Sequence, residues 1–310
     1  MSLDHPAAVG SVRADPSARG GGAAPAPESA EVRYDRLDVA GAGGIELVLH
    51  RWRSARPRAA VFYVHGIQSH GGWLFDTGPE LARRGVSTYL LDRRGSGMSG
   101  GSRGYLPDAL TVVDDHAHAL ELVRADTAVP LTGLGQSFGG SVLAALLVQR
   151  PDSFDSVVFT APAIGQQRAR HGDSALAARR LLDGAELRAV PLDDRDYTDD
   201  PGYLRFMADD PLMLREVPAR TLATMVELED RYLAVAEWNV TVPVALALPA
   251  QDRIIDLAVT QRELRTRIPG LDTVRFGAAQ QHYLEFTPAR HEYWDWLAHQ
   301  AVSRGARDDR

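Results

Sequence analysis

Short apolar runs alternate with segments carrying helix-start and helix-stop residues, and this alternation constrains the fold more than any other feature of the chain. "IELVLHRW" (Ile45–Trp52), "AAVFYVHG" (Ala59–Gly66), "VSTYLLD" (Val86–Asp92), "VPLTGLG" (129–135) and "SVVFTAP" (Ser156–Pro162) read as strands. Between them, Asp76–Gly85, Pro107–Asp126 and Phe138–Arg150 read as helices, the last stopped before Pro151. The third helix is apolar on nearly all sides, so it belongs in the interior. Strands alternating with helices predict an α/β fold with a mostly parallel sheet covered on both faces.

The rhythm breaks from Ala163 to about Val240, where the chain is charged and mostly helical. It resumes with "TVPVALALPAQD" (Thr241–Asp252), a helix through about Ile268, the strand "DTVRFGA" (Asp272–Ala278) and a closing helix over about Pro288–Val302. This predicts a core built from residues 31–162 and 241–304, with residues 163–240 inserted as a helical cap. The first thirty residues, rich in Ala, Gly, Pro and Ser, read as a disordered tail.

Composition excludes several chemistries. Among the 310 residues there is no cysteine, which removes thiol nucleophiles, Cys-ligated metal and disulfides. There is also no lysine, since all 34 basic residues are arginine, which removes Schiff-base, P-loop and Ser-Lys mechanisms. A net charge of -7 gives no basic footprint for nucleic acid. No apolar stretch approaches a membrane span, and the N-terminal residues lack a secretory apolar core. A cytoplasmic protein without membrane insertion is the expectation.

Gly135-Gln136-Ser137-Phe138-Gly139 matches G-x-S-x-G at the point where a strand gives way to a helix. In such a turn the glycines relieve crowding, the serine is exposed at the strand's end, and helix N–H groups face a developing oxyanion. A nucleophilic serine needs a base, and the base an orienting acid. Downstream, Asp252 follows the strand "PVALALPA" and His282 follows "TVRFGA", in the order Ser, Asp, His and at strand ends where such sheets place their chemistry. Asp256 reads instead as a helix-start acid, and His291 and His299 lie in the final helix. The backbone N–H groups of Phe138 and Ile67 are the candidate oxyanion donors, with His65 organising the loop "VHGIQSHGGW". "GSGMSG" (Gly95–Gly100) matches a dinucleotide fingerprint, but no helix follows at once to receive a pyrophosphate. In "DDHAHA" (Asp114–Ala119), residues two apart on a helix do not share a face, which disfavours a metal site.

With these residues in place, the chain resembles the α/β-hydrolase superfamily from about Ile45 to the final helix. More narrowly it resembles the monoacylglycerol lipase and lysophospholipase-like serine hydrolases of the serine aminopeptidase S33 type. "VHGIQSHGGW", "DRRGSGMSGG", "GQSFGG", "PAQDRIID", "AAQQHYLEF" and the cap segment "DDPLMLREVPART" carry the likeness. The resemblance implies an eight-stranded sheet, a lid over the nucleophile, and hydrolysis of a small acyl ester without metal or organic cofactor. Three departures lie near the expected site: Gln136 stands for the usual His, Gln68-Ser69 for Gly-Glu, and Gln280-Gln281 precede His282. Gln68, Gln136, Tyr203, Phe206 and Met207 are candidate substrate contacts, although cap residues packed on the core would look alike. An acyltransferase or cyclase using the same triad, and a non-catalytic ligand-binding protein, remain open alternatives.

Overall fold

The computed structural model describes residues 32–172 and 186–305. The expected N-terminal tail lies outside them, as does part of the expected cap. Eight strands form one sheet: β1 (Arg33–Ala40), β2 (Glu46–Arg53), β3 (Ala59–Val64), β4 (Val86–Leu91), β5 (Leu131–Gln136), β6 (Ser156–Thr160), β9 (Val244–Pro249) and β10 (Asp272–Phe276). Their order is β1-β2-β4-β3-β5-β6-β9-β10. β1 pairs antiparallel with β2 and β2 with β4, whereas every pairing from β4 to β10 is parallel.

Every residue of β3, β4, β5, β6 and β9 is buried, because both faces are covered. The period of two divides each strand between two cores. Ala60, Phe62 and Val64 of β3 join the helices α2 (Ala109–Asp126) and α3 (Phe138–Gln149) through Val112, Leu120, Val142 and Leu146. Ala59, Val61 and Tyr63 pack on the other face with Leu81 of α1 (Thr77–Arg83) and with Trp294 and Leu297 of the closing helix Arg290–Gly305. All residues from Phe138 to Leu147 are buried, as an all-apolar helix requires.

The sequence pattern does not mark β1. Its "RYDRLDVA" carries charges on an edge strand exposed on one face, which hides the pattern of a core strand. Within residues 163–240, β7 (Leu187–Ala189) pairs antiparallel with β8 (Glu216–Pro218) in a short ladder beside the helices. The helix Ala219–Leu233 buries Leu228 and Tyr232 in the same core as α3, so this part of the segment between β6 and β9 is rooted in the helical layer of the sheet. No helix of the described residues is long and apolar enough to cross a membrane.

Candidate active site

At the end of β5 the chain turns sharply, and α3 begins one residue later. The turning residue, Ser137, has φ 52° and ψ −123°, a conformation that costs about 1–3 kcal/mol for a residue with a Cβ. The surroundings hold it there. Ser137 N–H donates to Thr160 O at 3.1 Å, and Ser137 O accepts from Gly140 N–H and Ala163 N–H, both at 2.9 Å. Gly139 makes the turn possible by close approach: a Cβ there would lie 1.9 Å from Val64 O at the end of β3. Gly139→Ala is therefore expected to push α3 off β3 and lower stability by about 3 kcal/mol or more. Urea unfolding checks this, and a variant as stable as the parent would contradict the packing.

Asp252 and His282 lie in the loops that follow β9 and β10, and the two adjacent parallel strands bring them together. His282 Nδ1 donates to Asp252 Oδ2 at 2.7 Å, with both side chains fully buried. Asp252 Oδ1 accepts the N–H groups of Ile254 (2.8 Å) and Ile255 (2.9 Å), so the carboxylate is fixed on both sides. His282 Nε2 meets Gln136 Nε2 at 3.3 Å, and the imidazole and the ring of Tyr197 form a T-shaped pair with centroids 5.9 Å apart. Ser137 itself is 8% exposed. The rival residues lie elsewhere. Asp256 caps the helix Leu257–Arg267 by accepting from Ala258 and Val259 N–H, His291 packs on Trp294, and His299 bonds Ser303.

The loop after β3 runs beside the serine. A Cβ on Gly66 would lie 2.7 Å from Gln136 Oε1 and 3.4 Å from Ser137 Cβ. His65 is buried, donates from Nδ1 to Gly66 O at 2.8 Å, and accepts Arg93 N–H on Nε2 at 3.1 Å. Burial, then the charge of Arg93, holds its pKa well below the usual imidazole range, so it organises the loop as a neutral ring. Arg93 was not singled out in the sequence, where it is one of two arginines in "DRRG". Its buried guanidinium gathers the carbonyls of His65, Gly66 and Ile67 at 3.2–3.4 Å and lies 5.1 Å from the ring of Phe138. Burial lowers its pKa to about 9, so the carbonyls hold a cation at neutral pH. Phe138 opens α3, where first-turn N–H groups have no intrahelical acceptor.

The candidate substrate contacts divide into two groups. Gln136 faces His282. Gln68 uses both ends of its amide on the segment between β6 and β9: Nε2 donates to Leu214 O at 3.0 Å and Oε1 accepts Tyr197 O–H at 2.6 Å. Tyr203 stacks on Phe286 at 4.2 Å and donates to Asp76 at 2.7 Å. Phe206 packs against Trp73 and Phe75, and Met207 is buried in the same apolar cluster. These residues lie where the segment between β6 and β9 packs on the loops that follow the sheet's strands. Asp210 adds two ties across it, accepting from His70 Nε2 and Trp73 Nε1, each at 2.9 Å. His282 N–H donates to Asp196 O at 2.9 Å, and Gln281 bonds Asp199. Gln280 turns back on its own loop, donating to Gly277 O.

The two rejected motifs have structural uses. Gly95–Gly100 forms turns around Asp92, whose carboxylate accepts Gly71 N–H (2.6 Å), Met98 N–H (2.8 Å) and His50 Nε2 (2.9 Å). Asp115 pairs with Arg94 at 2.5 Å, and His116 bonds Val112 O within α2. Among the described residues no group of His, Asp and Glu is arranged to hold a metal ion.

Glu285, three residues beyond His282, is fully buried and accepts Tyr63 O–H on Oε1 at 2.7 Å. Burial pushes its pKa up from 4.5 to about 7, against the opposing pull of the Tyr63 hydrogen bond. Folding therefore favours the protonated acid. That contribution is whole below about pH 4.5 and is lost as pH rises through about 7. Glu285→Gln keeps an acceptor and removes the ionisation. Above pH 7 it is expected to be more stable than the parent by up to about 3 kcal/mol. Urea midpoints across pH check this; the gain should vanish near pH 4, and a constant difference would contradict it.

A strained serine between a parallel strand and a buried helix, with an Asp–His pair on the two strands beyond, defines an α/β-hydrolase. The chain belongs to the family described as serine aminopeptidase, S33, whose model matches residues 55–278. The monoacylglycerol lipase of Mycolicibacterium smegmatis is 27% identical over 226 residues, covering 71% of this chain and 79% of that protein. Among solved structures, the monoacylglycerol lipase of Paleococcus ferrophilus superposes with a TM-score of 0.72 at 21% identity, over 84% of this chain and 99% of that one. A soluble variant of monoglyceride lipase from Saccharomyces cerevisiae, in complex with a substrate analog, gives 0.73 at 18% identity, over 91% and 99%. At these identities the two structures speak for the fold.

Proposed function

We propose that the protein is a carboxylic ester hydrolase in which Ser137, His282 and Asp252 form the catalytic triad. The observation that carries this is the 2.7 Å Asp252–His282 pair, whose imidazole meets the side chain of Gln136, the residue before a serine held at positive φ. His282 Nε2 takes the Ser137 proton as Oγ forms a bond to the ester carbonyl carbon. The N–H groups of Ile67 and Phe138 receive the oxyanion. His282 then gives the proton to the leaving alkoxide as the C–O bond breaks, which leaves an acyl-enzyme. Water repeats the sequence and releases the acid.

The substrate class is a monoacylglycerol, a lysophospholipid or a small acyl ester. The M. smegmatis relative, named a monoacylglycerol lipase, supports the first. The described residues of 163–240 act as the cap, rooted on α3 by the helix Ala219–Leu233 and tied over His282 by Asp196 and Tyr197. The burial of His282 under this cap also favours a second reading, in which an alcohol or amine replaces water as acyl acceptor.

A panel of monoacylglycerols, lysophospholipids and p-nitrophenyl esters of graded chain length tests the proposal. Release of free acid well above that of Ser137→Ala is expected for at least one class; parent and variant giving equal release throughout would overturn it. A competing alcohol in the same assay separates hydrolysis from transfer by the product formed.

A further inference from the structure

Gln136 ends β5, and its buried side chain reaches the imidazole that the proposed mechanism uses as base. Asp252 is an acceptor at Nδ1, so the Nδ1 nitrogen carries the proton and Nε2 carries the lone pair. A lone pair attracts a donor. The NH2 group of Gln136 therefore faces Nε2, at 3.3 Å, while Oε1 lies against Gly66, where a Cβ would come within 2.7 Å of it. Gly66 thus leaves the space in which the amide lies. Among the described residues no hydrogen bond joins His282 to Ser137 Oγ. The lone pair that must accept the serine proton is met by a different donor.

We infer that Gln136 is a positioning residue that occupies the Nε2 lone pair of His282 between turnovers and competes for it with the Ser137 hydroxyl. The inference rests on the triad reading above. It gives the glutamine at this position a role toward the base. A serine that must displace another donor is less reactive toward a small electrophile than one already bonded to its base. Once His282 is protonated, the NH2 group would face an N–H, so the amide must turn and present Oε1 instead.

The test is the second-order rate at which a small fluorophosphonate labels the full chain. In that reaction Ser137 Oγ bonds phosphorus, fluoride leaves, and His282 takes the serine proton. Gln136→Leu removes the competing donor at similar size and is expected to label about two- to tenfold faster than the parent. Gln136→Glu keeps the shape but places a carboxylate at Nε2, which holds the imidazole in its protonated form. It is expected to label at about one tenth of the parent rate or below. A purely structural role would move both variants the same way. Gln136→Met provides a second apolar variant should the leucine fail to fold. Apolar variants that label no faster than the parent overturn the inference. Labelling that persists after Ser137→Ala overturns the triad reading instead, so the two failures are distinguishable.

Discussion

Replacing Ser137 with alanine is expected to lower ester turnover by about 10⁴-fold or more while leaving the fold and its stability almost unchanged. Loss of Oγ removes the atom that forms the acyl bond, and no thiol is available to substitute, since the chain contains no cysteine. Alanine keeps the Cβ, so the strain at φ 52° is neither relieved nor increased. The three backbone hydrogen bonds that hold the turn involve only the N–H and C=O of residue 137 and survive the change. The residual rate reports what the backbone donors and substrate binding achieve alone. Steady-state kinetics beside thermal unfolding measure both halves. A drop of only a few fold, or a large loss of stability, would contradict the role given to Oγ.

The second large effect is expected at Asp252. Its Oδ1 accepts two backbone N–H groups, from Ile254 and Ile255. In Asp252→Asn that place demands the amide oxygen, so the NH2 group must face His282. Nδ1 then becomes an acceptor, the proton moves to Nε2, and the base presents a donor to the serine in place of a lone pair. A fall in kcat of about 10⁴-fold is expected from this tautomer change alone, with the hydrogen bonds otherwise kept. Asp256→Asn is the control: it retains a good helix cap, so turnover within a few fold of the parent is expected. A larger loss at Asp256 than at Asp252 would show that the acid has been assigned to the wrong residue.

How much of this was legible in the sequence depends on what each residue's role requires. The central strands were legible because burial on both faces makes them continuous apolar runs, as in "AAVFYV". The strand-end positions of Ser137, Asp252 and His282 were legible because strand ends are local features that sequence order can place. The edge strand β1 was not, since its charges serve solvent and β2 rather than a core. The roles of Gln136 and Gln68 were also out of reach. Gln136 meets a histidine 146 positions away, and Gln68 meets a tyrosine 129 positions away. Their residue type marked them as unusual, but only the folded chain supplies their partners. Arg93 and Glu285 gave less warning still. Nothing about an arginine in a glycine-rich loop or a glutamate in "HYLEF" marks a buried charge, yet both lie buried beside the site.

The most direct test of the central claim is the intact mass of the protein after brief mixing with a p-nitrophenyl ester, followed by peptide mapping. Such a substrate expels p-nitrophenol and leaves its acyl group on the nucleophile. One acyl adduct per chain, carried on Ser137, is expected in the parent and none in Ser137→Ala. An adduct on another residue, or rapid turnover by the Ser137→Ala variant, would contradict it.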